Sequence, residues 1–420
     1  MASVSPSNTH AATPARLFYL ANIRMPTEKA HGLQIMQMCE AFACAGVDLT
    51  LIVPRRINSA EMSAIDDAWA YYGVDHNFAM TRIPCLDLFR WILPNFPPAA
   101  FATEMLRTAT YILVMLSYLL FHPADVYYSR DLLTLLVLSL FKPRRAMVYE
   151  VHQLMKSPVG RLLQRWCVRR VGLVVAVTAR LADDLAARGA KHAIVAHDGY
   201  RLERFADLPD RQTARTRLNL PDGATIVGYV GQLHTMSMGK GIDSLIDAIA
   251  RADRPVSLCL TGGPAAMAET LRSRWLRLGL PADRFLFLGQ VEPSVVPVCL
   301  AAFDIFAMPF PWTEHFAYYA SPLKLFEYMA SGGAILSSDL PSTAEVVRDG
   351  ESALLVPPGN VEAMAAALQR LYDDPALRAQ LGAAARQLAP QYSWTARAER
   401  ILSAKRIDTT PDQLYSPPSP

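Results

Sequence analysis

GYVGQLHTMSMGKGIDSLIDAIA, Gly228 to Ala250, decides the architecture. An apolar run ends at a glycine turn and a polar loop follows. Lys240, set between Gly239 and Gly241, then leads into a stretch in which Leu245, Ile246 and Ile249 recur at helical spacing. Strand, glycine loop and helix make up the repeating unit of a parallel sheet wound with helices. The flanking glycines let a ligand approach the backbone closely. Lys240 stands at the positive end of the coming helix, where a cation is disfavoured unless an anion docks in front of it.

The same conflict recurs in SPLKLFEYMASG, Ser321 to Gly332. Ser321 is expected to N-cap a helix, Pro322 suits its first position, and Leu323, Phe326 and Met329 form its inner face. Lys324 falls in the first turn, again at the wrong pole of the dipole. Glu327, three residues on, shares a face with it and is placed to accept hydrogen bonds from hydroxyls beside a bound phosphate. Read singly, each segment is an amphipathic helix carrying a solvated charge. Two unfavourable cations in one α/β domain favour a phosphate site, and a nucleotide-sugar offers both phosphate and hydroxyls.

Working outward, short runs rich in Val, Ile, Leu and Tyr alternate with helical patterns. Strands are expected at residues 17–21, 49–53, 126–128, 147–151 and 173–177. In the second half they are expected at 225–230, 256–260, 285–288, 305–308, 334–336 and 353–356. The length of 420 residues, 52% of them hydrophobic, suits two α/β domains of doubly wound parallel sheet. The polar stretch His197 to Gln212 reads as the linker. In such sheets ligands bind beyond the carboxyl ends of the strands. Gly32, His152, Gln232, Lys240, Gly262 and Gly263 all fall there, so two facing sheets would gather them around a cleft.

The net charge of +3 is too mild for a general nucleic-acid binder. The six cysteines lack metal-type spacing and no secretory signal precedes them, which suits a reducing cytoplasm. Residues 1–14 read as a flexible leader and the Pro-rich 408–420 as a disordered tail. The uninterrupted apolar part of Met105 to Phe121 is too short to span a bilayer and fits a buried or membrane-leaning helix. In GRLLQRWCVRR, Gly160 to Arg170, Arg161, Arg165 and Arg169 repeat at i, i+4 and i+8 beside Leu162 and Trp166, a pattern suited either to a solvated face or to an anionic membrane surface.

The order GYVGQL, GKGIDSLIDA, LTGGP, FLFLGQV, FDIFAMPF, SPLKLFEYMASGG and DLPSTAEVVRDGESALLVPPGN resembles the retaining glycosyltransferases of family 4. LFYLANIRMPTEKAHGLQIMQMCEAFACAG is similar to that family's first strand, loop and helix, and YSWTARAERIL to its last helix. The resemblance implies the GT-B fold, two facing Rossmann-like domains, here at 15–205 and 206–391. Residues 392–407 would then form a helix crossing back onto the first domain. It implies that Glu327 holds the donor ribose, Lys240 the diphosphate, and His152 lies near the reacting sugar. Gly32 would admit the diphosphate, Gly262 and Gly263 would border the donor pocket, and Gln290 and Val291 would follow the strand that meets the base. Ser321, Pro322 and Leu323 would line the approach to Lys324. Two positions depart from the pattern. Gln232 replaces an arginine that usually partners Lys240, a charge Lys324 can restore. Tyr319 replaces a glutamate that acts on the donor sugar, a role Glu314 or His315 could cover.

The expected function is therefore transfer of a hexose-type sugar, with retention and without metal or other cofactor, from a nucleoside diphosphate sugar. A glycan or lipid-linked acceptor in surface polysaccharide assembly at the inner membrane face is the expected recipient. The leaving phosphate would be stabilised by Lys240, Lys324 and helix amides. A nicotinamide dehydrogenase is disfavoured because no Gly-x-Gly-x-x-Gly opens the first helix. A nucleotide-sugar epimerase and a non-catalytic sugar-nucleotide-binding subunit share the remaining features.

Overall fold

The computed structural model describes residues 14–88, 97–235 and 238–407. All but the last residue of the expected leader, and the whole expected tail, lie outside these. Seven strands build the first sheet: β1 (Arg16–Leu20), β2 (Asp48–Arg55), β3 (Ala79–Pro84), β4 (Val126–Ser129), β5 (Met147–Val151), β6 (Leu173–Ala176) and β7 (Ala193–Val195). They are all parallel, in the order β3-β2-β1-β4-β5-β6-β7. After β8 (Thr225–Val230) comes a small hairpin of β9 (His234–Thr235) and β10 (Met238–Gly239). The second sheet adds β11 (Val256–Thr261), β12 (Phe285–Gly289), β13 (Ile305–Met308), β14 (Ala334–Ser338) and β15 (Leu354–Val356), in the parallel order β12-β11-β8-β13-β14-β15.

Both sheets carry apolar layers on both faces, which is why their central strands read as continuous apolar runs. In each, the strand order reverses beside the first strand of the domain, between β1 and β4 and between β8 and β13. Loops diverge there and leave a crevice at the carboxyl edge. Eleven strands fall where the alternating runs predict them. The edge strands β3 and β7 were not expected, because only one residue of β3 is buried and β7 has three half-buried residues.

The chain crosses between domains twice, side by side. Tyr200 N–H donates to the Tyr392 carbonyl and Trp394 N–H to that of Tyr200, both at 3.2 Å. Of the polar stretch read as linker, Leu202–Phe205 form a 3-10 turn that buries Phe205 in the second domain's core. The helix Trp394–Ile407 packs on Ala30–Cys44, sending Trp394, Ala398 and Ile401 into the first domain's core.

The apolar segment belongs to a helix at Pro97–Phe121, of which Phe101–Phe121 is long and apolar enough by composition to cross a membrane. The length argument made on the uninterrupted run is therefore superseded. Tyr111, Met115 and Leu119 nevertheless lie buried against the first sheet, while Leu113, Leu120 and Phe121 are exposed on the opposite face.

Candidate functional site

The carboxyl ends of β8, β11 and β12 are tied together by glycine turns. Gly231 N–H donates to the Thr261 carbonyl at 2.8 Å, Gly262 N–H to that of Gly289 at 2.6 Å, and Leu233 N–H to that of Gly263 at 2.9 Å. Gly262 has a φ of 127°, and a Cβ there would sit 2.1 Å from the Gly231 carbonyl oxygen. Only glycine permits this approach. Val291 is half-buried against the second domain's core beside these turns, whereas Gln290 is exposed.

Lys240 precedes the helix Ile242–Ala252, whose N-cap Gly241 has a φ of 74° and would carry a Cβ only 1.8 Å from the Pro309 carbonyl. That contact fixes the loop against the end of β13. The Lys240 ammonium lies 4.8 Å from the Phe310 ring centre and 4.6 Å from that of Phe316, and burial pushes its pKa down to about 8. Lys324 Nζ lies 3.6 Å from the Tyr229 ring centre and 5.5 Å from that of Phe310, buried and without a hydrogen-bond partner. Burial, reinforced by Lys240, holds its pKa well below the ordinary lysine value. Neither lysine enters an ion pair among the described residues. The aromatic faces offset part of the desolvation cost.

The helix starts at Leu323 with Pro322 as N-cap, and Ser321 does not cap it. Its hydroxyl is taken by a contact between the domains, accepting from Asp198 N–H at 2.8 Å. Leu323 likewise turns to the first domain's core, while Phe326 and Met329 enter the second's. Glu327, one turn into the helix, has its pKa pushed up to about 7 by burial, against the pull of Arg204 and Lys324.

Across the cleft, His152 follows β5 and its Nε2 lies 2.8 Å from Glu150 Oε1. Glu150 is fully buried in β5 and also pairs with Arg130 at 2.9 Å and Arg397 at 2.7 Å. Burial raises its pKa, but these two guanidiniums outweigh that and hold it well below the carboxylate range. Asp198 stands in the same cluster and accepts from Gln34 Nε2 at 2.8 Å. The Glu150, His152 and Asp198 ligand atoms come within 4.8 Å of one another, yet Arg130 and Arg397 already balance the two carboxylates. The cluster thus reads as an anchor for His152. Sequence reading missed Glu150, Arg130, Asp198 and Arg397, although a carboxylate inside the apolar strand MVYEV was a usable signal.

Gly32 follows β1, as expected. It occupies the first turn of the helix Ala30–Cys44, where a Cβ would lie 2.5 Å from both Thr27 Cγ2 and the Tyr72 hydroxyl. That packing by itself requires glycine at this position. Tyr319 ends a π-turn, His315–Tyr319, and its hydroxyl donates to Asp184 of the first domain at 3.4 Å. Glu314 is exposed and paired with Lys156 at 3.0 Å, whereas His315 is half-buried, with a pKa lowered by burial and by Lys240 and Lys156. His315 is thus nearer in environment to the lysines. Gln232 offers its backbone carbonyl to the Tyr229 hydroxyl at 2.8 Å, steadying the ring under Lys324. Thr178 donates to the Tyr318 carbonyl at 2.6 Å and Ala179 N–H to Glu345 at 2.8 Å, so the two domains meet along this segment.

Residues 224–374 match the family model described as Glycosyl transferases group 1. The D-inositol 3-phosphate glycosyltransferase of Streptomyces bingchenggensis is 30% identical over 253 residues, 57% of this chain and 53% of that protein. The alpha-D-kanosaminyltransferase of Streptomyces kanamyceticus is 26% identical over 265 residues, 60% of this chain and 64% of that protein. The chain spans about half to three fifths of the length of the curated relatives it matches. Anabaena HepE in complex with UDP superimposes with a TM-score of 0.69 at 18% identity, covering 93% of this chain and 100% of that one. Sucrose-phosphate synthase from Thermosynechococcus elongatus gives 0.72 at 19% identity, covering 93% and 98%. The fold is thus GT-B, as the resemblance implied.

Proposed function

We propose that this chain, whose residues 224–374 match the model for glycosyl transferases group 1, moves a hexose-type sugar from a nucleoside diphosphate sugar to a glycan or lipid-linked acceptor. The observation that carries the reading is the pair of desolvated lysines, Lys240 and Lys324, which share the Phe310 ring and enter no ion pair among the described residues. An anion beside them would relieve both. UDP in the complex of the similarly folded HepE has this chemistry.

Bond cleavage leaves negative charge on the departing diphosphate and positive character on the sugar. The lysines would stabilise the first where it develops. Glu327 would hold the ribose hydroxyls, and His152, fixed by Glu150, would position the sugar or the incoming acceptor hydroxyl. We read the reaction as retaining and metal-independent, with the lysines supplying the cationic charge. A place at the inner face of the membrane is supported by the exposed Leu113, Leu120 and Phe121 on one helix of the acceptor-side domain. Activity should persist in excess EDTA, and NMR of the first-formed product should show the donor's anomeric configuration. Loss of activity that manganese restores, or an inverted product, would contradict this reading. Tyr319 in place of the glutamate favours one alternative, a subunit that binds donor without turnover, and donor consumption by the purified chain decides between them.

Glu327 gives a second check. Glu327→Gln should weaken a ribonucleotide by about 1.5 to 3 kcal/mol, the scale of a charge-assisted hydrogen bond, and its 2′,3′-dideoxy analogue hardly at all. Equal losses by calorimetry would make Glu327 structural.

A further inference from the structure

The arginines at i, i+4 and i+8 of the helix Pro158–Arg170 are all exposed. Arg161 and Arg165 line one wall of an open groove of about 530 Å³ whose other wall is the helix Ala179–Ala187 and Arg188. Arg169 lies farther along, where its Nε would be 2.5 Å from a Cβ at Gly189. Arg188 is held by a neutral group, the side-chain oxygen of Gln164. Gln164 is fully buried and also accepts from Met155 N–H at 3.1 Å. None of Arg161, Arg165 and Arg188 forms an ion pair among the described residues. The one carboxylate in the lining, Asp184, is already engaged by Arg180 at 3.2 Å and by the Tyr319 hydroxyl at 3.4 Å.

We infer that this groove is a phosphoryl-binding subsite that holds an anionic group of the acceptor. Three arginines line a space whose lining includes one carboxylate, already engaged, and their planar guanidinium forks match phosphate oxygens. Leu154, two residues past His152, forms part of the lining, and Asp184 touches Tyr319, which precedes the Lys324 helix by four residues. The groove therefore abuts both the His152 loop and the donor-side segment. An acceptor anchored by phosphate here would extend its sugar or hydroxyl end toward the cleft. This assignment rests on the glycosyltransferase reading for what the anchored molecule is, while the groove's anion chemistry stands on its own residues.

The test is calorimetry of the full chain with inorganic phosphate, after saturation with UDP to occupy Lys240 and Lys324. Wild type should bind phosphate, and the double variant Arg161→Gln/Arg165→Gln should bind it at least about tenfold more weakly. Its thermal unfolding and UDP affinity should stay as in wild type. Co-sedimentation with phosphatidylglycerol vesicles, against phosphatidylcholine as control, separates the sources. Loss of vesicle binding in the double variant assigns the phosphate to a lipid headgroup. Phosphate binding without vesicle binding assigns it to a soluble acceptor. If the double variant matches wild type with both probes, or wild type binds neither, the groove is not an anion site. A failure of UDP alone to bind would strike the donor reading and leave the phosphate result to judge the groove.

Discussion

Lys324→Met should lower affinity for the nucleoside diphosphate sugar by about 10- to 100-fold and yet make the protein more stable to heat. The loss follows from removing a charge-assisted contact worth about 1.5 to 3 kcal/mol. The gain follows from linkage. Burial without a partner holds the folded-state pKa below the unfolded one. Keeping the ammonium charged therefore costs the folded state stability at neutral pH, and stability rises as pH climbs from the folded toward the unfolded value. Methionine removes that cost and keeps the packing on Tyr229. Lys240→Met should behave alike and should also cut turnover by about 10²- to 10³-fold, because its charge meets the leaving phosphate. In wild type, donor affinity should fall as pH rises past about 8, where Lys240 loses its proton. A variant that binds donor normally, or one that is destabilised, would make these lysines ordinary structural groups.

Glu150→Gln should be strongly destabilising, by about 3 to 5 kcal/mol in chemical denaturation, because it leaves Arg130 and Arg397 with Asp198 alone as counter-charge. Arg397 comes from the last helix and Glu150 from β5, so the pair also fastens the returning chain to the first domain. Adding Arg397→Met to Glu150→Gln should recover part of the loss, since one uncompensated cation goes with it. Additive losses in the double variant would mean that the two residues act independently. His152 would lose its anchor at the same time, so turnover should fall further than donor affinity.

The central strands and the lysine-bearing helices could be read from sequence because their cause is local. An apolar run marks a strand covered on both faces, and Lys240 and Lys324 conflict with helix polarity within a few residues of themselves. The edge strand Ala79–Pro84 was not legible because its exposed side chains carry no apolar pattern. Ser321 looked like a helix cap because local spacing allows it. Only tertiary structure shows Asp198, 123 residues away, claiming its hydroxyl. Gly32 illustrates the same limit, since a glycine after a first strand is compatible with a ligand, and the packing of Tyr72 that requires it lies far along the chain. The Glu150 cluster joins residues from β5, the segment just after β4 and the last helix, so its membership depended on the fold, although the buried carboxylate itself was visible.

The claim on which the rest depends is that Lys240 and Lys324 together receive a diphosphate. Proton uptake on binding tests it most directly, by calorimetry near pH 7.5 in buffers of differing ionisation enthalpy. The ligand is whichever of UDP-, GDP- and ADP-glucose gives the largest thermal shift, since its diphosphate is already ionised there. Burial holds the pKa of Lys324 well below the ordinary lysine value and that of Lys240 at about 8 in the free protein, and a bound diphosphate raises both. Glu327, with its pKa near 7, can release only a fraction of a proton in return. Net proton uptake on binding, smaller in Lys324→Met, is the expected result. Binding with no net uptake or with release, or no binding by any of the three donors, would contradict the two-lysine cradle.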